Sequence, residues 1–559
     1  MSKSVKKNKS SNLAVTKWVF KNSKKYFPLV IVLSVIMVIN ALSAIYLALA
    51  SKRVLDIATK SETGSILNAG IWLFVLVIIQ IIFSALTQIF DAYTSEKLRI
   101  HFRNMFFTKL SQRKYSSVSE YHSGDLLNRL SSDVEVVSFA IVGIIPSIVS
   151  MLTKIVGGTA AIILLDKRIA VIILVCGLTV PAIGRVINKH FKQLHRRAQE
   201  TEGKTRSFLQ ECFENLVVLK VFSGEGSFKK KLNVYMHDTY VTKMKRTGIS
   251  VITHLSLYAF FTLGYYCILI WGAGSISGGV ITYGTLTAFL QLFNQLRAPL
   301  QNVSGIMPKY YSMIASAERL IELESGEYDL PADRKRLCDV KSKFDTIEFS
   351  GVDFAYKEES ILKNCSFTAK KGKITAITGE SGSGKSTVLK LILGLYDIQS
   401  GNISINGDIP LDTSIRGLFT YVPQGNMILS GTIKENITLC NDTIPESEIE
   451  KVAKTACIYD FISDLPNGFD TILTERGGGL SEGQIQRISI ARALLTDAPI
   501  LLFDEATSAL DEATETKLLE NIKNLSDKTI LFVTHRHTSL SVCDKIIHVE
   551  NKNFVTVKE

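Results

Sequence analysis

Ile374-Thr375-Ala376-Ile377-Thr378-Gly379-Glu380-Ser381-Gly382-Ser383-Gly384-Lys385-Ser386-Thr387 is an apolar run that passes into a glycine-rich loop and then into the helical pattern 388–395. Its second part fits G-x-x-x-x-G-K-S/T in the setting that motif requires, a strand before it and a helix after it. The glycines let the backbone curl so that successive N–H groups and a helix N-terminus face phosphate oxygens. Lys385 then offers a point charge to β- and γ-phosphates, and Ser386 a hydroxyl to Mg²⁺.

Working outward, a second apolar run, Pro499-Ile500-Leu501-Leu502-Phe503-Asp504-Glu505, ends in two carboxylates. Asp504 is placed to hold Mg²⁺, and Glu505 to polarise a water that attacks the γ-phosphate. Two acids before Ala506 would also suit the start of a helix, and their company with the phosphate loop favours the chemical reading. Further short apolar runs at 419–422 and 530–534 alternate with helical patterns, which predicts a largely parallel α/β sheet across 346–559.

The earlier part of the chain is of another kind. Residues 1–345 hold 43 Lys+Arg against 23 Asp+Glu, a net +20, while 346–559 hold 21 against 29, a net −8. Six apolar stretches, 27–50, 67–90, 136–165, 169–186, 251–271 and 280–302, each approach or exceed the roughly 20 residues a helix needs to cross the hydrocarbon core. Asp166-Lys167-Arg168 alone separates the third from the fourth, and a Gly/Ser-rich turn, 272–279, the fifth from the sixth. The segments 91–135 and 187–250 are long and basic (Arg196, Arg197, Lys204, Arg206, Lys229, Lys230, Lys231), so the positive-inside rule puts them in the cytoplasm with a lysine-rich tail, 1–26. The predicted organisation is that tail, a six-helix transmembrane domain over 27–320, a linker over 321–345 marked by Pro331, and the α/β domain.

Composition also excludes. The basic excess sits on the apolar half without interleaved aromatics, which argues for an anionic membrane surface and against nucleic acid. The eight cysteines are scattered with no CxxC pair, so neither a disulfide framework nor a zinc site is indicated.

Leu480-Ser481-Glu482-Gly483-Gln484, followed by Gln486-Arg487, supplies what the phosphate loop lacks. With it the whole chain resembles the exporter-type ABC transporters, whose ATPase carries a signature of this form. The other landmarks follow in family order: Tyr356, Gln424 in Tyr-Val-Pro-Gln, the two carboxylates, Ser508-Ala509-Leu510-Asp511, and His535 in Thr-His-Arg. The resemblance implies a membrane α-helical bundle of six transmembrane helices joined to an α/β P-loop ATPase. It implies ATP contacts from Tyr356 at the adenine, from Gly379, Glu380, Ser381, Gly382, Ser383, Gly384, Lys385, Ser386 and Thr387, and from Gln424, Ser481, Gly483, Gln484 and Asp511. Ser481 and Gly483 would close over the γ-phosphate held by the other subunit. Ser386, Gln424 and Asp504 would hold Mg²⁺, and Glu505, His535 and Gln424 would carry catalysis. Glu482 replaces the commonest Gly of the signature and leaves Ser481 and Gly483 in place.

By the same resemblance, 124–130 and 211–220 in the cytoplasmic loops are coupling segments that dock on the ATPase. The stretch 471–477 would touch them, although Thr474 stands where the family usually has Gly. One phosphate loop and one signature per chain imply a dimer with ATP sandwiched at its interface, the partner being a second half-transporter, either an identical copy or a different chain. The implied activity is ATP-driven export of a hydrophobic, amphipathic or peptide substrate across a bacterial cytoplasmic membrane, with multi-pass topology. Lys154, His254, Gln291, Asn294 and Gln295 are polar within the spans and either face a cavity or bond between helices. An ATP-gated channel would lack transport, and a peptidase-exporter would need a cysteine before the spans, where none lies.

Overall fold

The computed structural model describes residues 12–167, 194, 197–425, 428–474, 477–525 and 527–558. The chain divides into two compact units, Met1–Thr108 with Ser123–Ser325, and Lys109–His122 with Gly326–Glu559.

Among the described residues the second unit holds twelve strands: β1 (Thr346–Tyr356), β2 (Glu359–Lys370), β3 (Ile374–Gly379), β4 (Ser400–Ile405), β5 (Ile409–Pro410), β6 (Phe419–Val422), β7 (Gly431–Thr432), β8 (Ile472–Leu473), β9 (Ile500–Asp504), β10 (Thr529–Val533), β11 (Lys545–Glu550) and β12 (Asn553–Lys558). The predicted runs become β3, β6, β9 and β10, inside a six-stranded sheet of order β12-β11-β3-β10-β9-β6. All but the β11–β12 pairing are parallel. Every residue of β3, β9 and β10 is buried, the pattern of a parallel sheet covered on both faces.

Alternation along these strands sorts the two cores. Leu501, Phe503, Ile530 and Phe532 join one, packed with the helices Glu446–Thr455, Glu482–Leu494 and Glu512–Lys523. Ile500, Leu502, Leu531 and Val533 join the other, against the helix Lys385–Ile392 and an antiparallel sheet β2-β1-β4-β5. Val533 pairs in register with both Asp504 and Ile377, so the chain leaves β3, β9 and β10 at one edge, where α/β sheets place their ligands.

Two segments carry structure that the sequence pattern did not announce. The stretch 321–345 is more than a linker: Asp333 caps a helix, Arg334–Lys343, and Arg336 donates to Ser414 Oγ at 2.9 Å and Asp412 Oδ2 at 2.5 Å. Residues 109–122, assigned by sequence to the helical domain, group with the second unit. There Lys114 meets Glu327 at 2.6 Å and Asp397 at 3.0 Å, and Asp329 N donates to Gln112 O at 2.9 Å. These are pairings across hundreds of residues that no local pattern announces.

In the first unit, four helical stretches among the described residues are long and apolar enough to cross a membrane: Asn12–Ala58, Ile66–Ser111, Ser123–Leu165 and Tyr258–Ser277. They correspond to the first, second, third and fifth expected spans. The fourth, 169–186, lies outside the described residues, as does the side chain of His254. The sixth falls on the start of Tyr283–Glu322, whose hydropathy Gln291, Asn294, Gln295 and Arg297 reduce, yet its Leu286, Phe289, Leu292 and Phe293 are buried. None of the apolar window of Ile66–Ser111 is buried, and Trp72, Phe74 and Ile81 are among its outward residues, as expected where the solvent is lipid.

Close approach of Glu225–Ser277 to Tyr283–Glu322 depends on a small residue: a Cβ at Gly272 would stand 2.3 Å from Leu286 Cδ1. Of the polar span residues, Gln295 ties helices together by donating to Ala44 O at 2.8 Å, whereas Asn294 is exposed. Arg297, which the sequence reading passed over, lies 4.8 Å from the Tyr258 ring centroid.

Beyond the spans, Asp133 is 2% exposed and is gripped bidentately by Arg319, with Nε at 2.8 Å from Oδ2. Buried Arg129 donates to Asp125 at 2.9 Å and to Arg319 O at 2.7 Å. Arg319→Ala leaves the Asp133 carboxylate buried without its cation. Because Arg319 is itself half exposed, the expected loss is at the low end of the range for broken buried pairs, about 3 kcal/mol. It is read as a lower thermal unfolding midpoint, and the double variant Asp133→Leu/Arg319→Met should recover most of it.

Candidate functional site

The loop between β3 and the helix Lys385–Ile392 is shaped by glycine at both ends. Gly379 has φ +144°, and a Cβ there would lie 2.7 Å from Val549 O. Gly384 has φ +101° and precedes the helix, and a Cβ there would meet Ile361 at 2.6 Å. Lys385, the first helical residue, is buried and folds back to donate to Gly379 O at 3.0 Å and Glu380 O at 2.7 Å. Burial lowers its pKa, and the nearby Glu505 and Asp504 carboxylates oppose that.

Asp504, at the end of β9, is 2% exposed and both its oxygens are engaged. Ser386 Oγ donates to Oδ1 at 2.8 Å, and Tyr421 Oη to Oδ2 at 3.0 Å. Burial, then the adjacent Asp504 charge, pushes the Tyr421 phenol far above its usual range, so it serves as a fixed donor. Glu505 follows in the left-handed region, φ +51°, a conformation that costs a non-glycine residue on the order of 1–3 kcal/mol and clusters at functional sites. Its N–H donates to Val533 O at 2.9 Å. Its carboxylate accepts from Gln424 Nε2 at 2.6 Å and stands 3.8 Å from His535 Nε2. One cluster therefore unites Lys385, Ser386, Gln424, Asp504, Glu505 and His535.

Tyr356, at the end of β1, rests edge-on against Phe354 and Tyr396 with centroids 4.8 and 5.1 Å apart. Tyr396 meets Tyr115 in turn, edge-on at 5.8 Å. The Tyr356 hydroxyl lies 3.4 Å from Thr387 Oγ1, which joins this aromatic patch to the phosphate loop.

The remaining predicted residues gather elsewhere. Ser481 caps the helix Glu482–Leu494 in a capping box: Gln484 N donates to Ser481 Oγ at 3.3 Å, and Ser481 N to Gln484 Oε1 at 2.8 Å. Gln484 thus has a local structural task. Asp511 likewise caps Glu512–Lys523 by accepting from Thr514 N at 3.0 Å. Gly483 is buried, and a Cβ would lie 2.8 Å from Ala509 O. Gln486 bonds Ser508 Oγ and Ala509 N, at 3.0 and 3.1 Å. Among the described residues, no hydrogen bond, ion pair or ring contact joins Ser481–Gln484 to the phosphate loop. In the 471–477 stretch, Ile472 and Leu473 form β8, and 475–476 lie outside the described residues.

Two observations bear on what the cluster can hold. Ser383 Oγ is buried without a hydrogen-bond partner among the described residues, as suits a loop whose acceptor is a phosphate. Ser386 and Asp504 present hard oxygens 2.8 Å apart, a donor set that fits Mg²⁺ kept partly by phosphates and water. The sequence reading missed Tyr421, Tyr396 and Tyr115. Only strand order could have found Tyr421, since β6 lies beside β9 across some eighty residues.

A bundle of membrane-length helices with a P-loop nucleotide site defines a membrane-spanning ATPase. Residues 30–300 match the ABC transporter transmembrane region and 362–508 match ABC transporter. A Haemophilus influenzae protein named "Probable ABC transporter ATP-binding/permease protein" is 32% identical over 484 residues, covering 83% of this chain and 85% of that one. An ATP-dependent lipid A-core flippase of Desulfotalea psychrophila is 31% identical over 464 residues, covering 81% and 80%. In fold, the chain is similar to a bacterial Atm1-family ABC exporter with ATP bound, at a TM-score of 0.77 and 22% identity over 95% of this chain and 94% of that one. The chain belongs to the ABC transporter family, with the membrane region and the ATPase in one polypeptide, and is a multi-pass membrane protein.

Removing the Tyr421 hydroxyl frees one oxygen of Asp504 to turn. With Asp504 holding Mg²⁺ as the family resemblance implies, Tyr421→Phe should raise the Mg²⁺ concentration for half-maximal ATP hydrolysis by about 10-fold, the effect of losing a partner behind a metal ligand. A magnesium titration at saturating ATP measures it.

Proposed function

We propose that two copies of this chain form an exporter that moves a hydrophobic, amphipathic or peptide substrate outward across a bacterial cytoplasmic membrane, driven by ATP hydrolysis at their interface. One observation carries this reading: within one unit, no hydrogen bond among the described residues joins Ser481–Gln484, the tip of the signature helix, to the phosphate loop or to the carboxylates of Asp504 and Glu505. A nucleotide held by Lys385 and Ser386 therefore takes its signature from a second chain. The helix Leu216–Val221 adds support. Leu219 is buried while Val217, Val221 and Phe222 are more than 70% exposed, an apolar face on a charged loop that suits docking on a partner. The excess of Lys and Arg in 91–135 and 187–250 favours cytoplasmic loops, with the amino terminus and ATPase unit on the same side.

In this reading Tyr356 lies against the adenine, and Lys385 exchanges the Gly379 and Glu380 carbonyls for phosphate oxygens. Mg²⁺ bound by Ser386, Gln424 and Asp504 would neutralise charge on the β- and γ-phosphates. Glu505 orients and polarises the attacking water, Gln424 fixes its carboxylate, and His535 donates to the γ-phosphate. The partner's signature helix completes the site, so closure depends on contacts made only with a γ-phosphate in place, and hydrolysis releases it. That release returns the membrane helices to their starting arrangement.

Glu505→Gln should keep ATP binding while lowering turnover by about 10²-fold or more, within the usual reach of a lost general base. Unchanged hydrolysis in that variant removes Glu505 from the role given to it.

The shared site has its own test in mixed dimers. Chains carrying Lys385→Ala or Ser481→Arg should each be inactive alone. Co-reconstituted in nanodiscs they should regain ATPase activity, because a mixed dimer contains one intact phosphate loop facing one intact signature. No recovery on mixing would speak against a site built from two chains.

A further inference from the structure

Glu515 lies in the first turn of Glu512–Lys523, 1% exposed and apart from the cluster around Asp504 and Glu505. A carboxylate has about four lone-pair sites, and here four donors fill them. Oε1 accepts from Thr507 Oγ1 at 2.9 Å and Ser539 Oγ at 2.6 Å. Oε2 accepts from Arg536 Nη1 at 2.6 Å and Thr538 Oγ1 at 2.8 Å. Thr507 and Ser539 are themselves buried. Arg536 Nη1 reaches further, to Leu510 O at 2.8 Å and Thr507 O at 3.1 Å.

These donors come from two loops with different duties. Thr507 and Leu510 lie on the segment that follows Glu505 and leads to Ser508 and Ala509, which bond Gln486 of the signature helix. Arg536, Thr538 and Ser539 follow His535. Glu505 and His535 face each other at 3.8 Å, each on a loop tied behind it to the same carboxylate. A buried ion pair is seldom retained for stability alone, since an apolar replacement of equal volume is commonly neutral or stabilising. A fully satisfied polar hub, by contrast, fixes one geometry. Burial raises the Glu515 pKa, and the hydroxyl bonds and Arg536 more than reverse it, so the hub is anionic.

We infer that Glu515 is a positioning residue for ATP hydrolysis, holding the loop after Glu505 and the loop after His535 at a fixed separation, so that both act on one γ-phosphate. The inference rests on the roles proposed above for Glu505 and His535.

The test uses the full chain in lipid nanodiscs. Glu515→Gln keeps the shape and removes the charge opposite Arg536, placing an amide where a carboxylate accepted. It should lower kcat for ATP hydrolysis by between about 10- and 100-fold, the scale of a small misplacement of reacting groups, with KM for ATP nearly unchanged, measured well below a thermal midpoint that the broken buried pair itself lowers. Glu515→Asp should recover part of the rate. Because groups that act as a unit are non-additive, adding Glu515→Gln to His535→Ala should cost less than about 2-fold more. An unchanged kcat, a kcat that falls only together with nucleotide binding, or full additivity with His535→Ala would each overturn the inference. If Glu515→Gln does not fold, Thr538→Val removes a single donor and should still lower kcat by about 3-fold at constant KM, and no change there overturns it equally. Glu505→Gln, run alongside, separates the two claims: if it still hydrolyses ATP, the parent reading has failed, and if it alone is impaired, only the inference about Glu515 has.

Discussion

The hydrogen bond from Ser386 to Asp504 is the constraint on which the nucleotide site turns. It joins the first turn of a helix to the end of a strand that is two places away in the sheet, with β10 between them. Such a bond forms only if β3, β10 and β9 run parallel and end level, and the register of Val533 with both Ile377 and Asp504 provides that. Burial of the sheet on both faces holds the register, since a one-residue slip would exchange the residues of the two cores. Chemistry at the strand ends is thus anchored by packing well below them.

The membrane unit obeys a different accounting. Its apolar surface is not hidden from solvent, because the solvent is itself apolar, and Ile66–Ser111 shows this most plainly. Helix contacts therefore rely on shape and on sparse polar ties. Gly272 admits Leu286, Gln295 reaches a backbone carbonyl, and past the spans the Asp133 and Arg319 pair locks the helix ends.

Local sequence carried the phosphate loop, the strands that flank it and most of the apolar spans, because each is a contiguous pattern whose periodicity or spacing has one physical meaning, whereas the signature was read through family resemblance. What it did not carry depends on partners far along the chain. Tyr421 gains its meaning from lying beside Asp504 in the sheet, and the helix Arg334–Lys343 from Arg336 reaching Asp412. Residues 109–122 read as ordinary loop until Lys114 finds Glu327 and Asp397. Asp511 and Gln484 carried a nucleotide-binding expectation, while their side chains are engaged in capping the helices they begin. Both tasks draw on a polar side chain at a helix start, and sequence alone does not separate them.

Gly483 has a consequence for how the signature helix can move. With Ala509 O where a methyl carbon would need to be, helix tip and neighbouring loop touch backbone to backbone, and Gln486 clasps the same loop from one turn further on. Tip and loop are thereby packed as one piece, so that displacing either strains the contact with the other. Even alanine at this position would act as a wedge, loosening the clasp and letting the tip drift on its own.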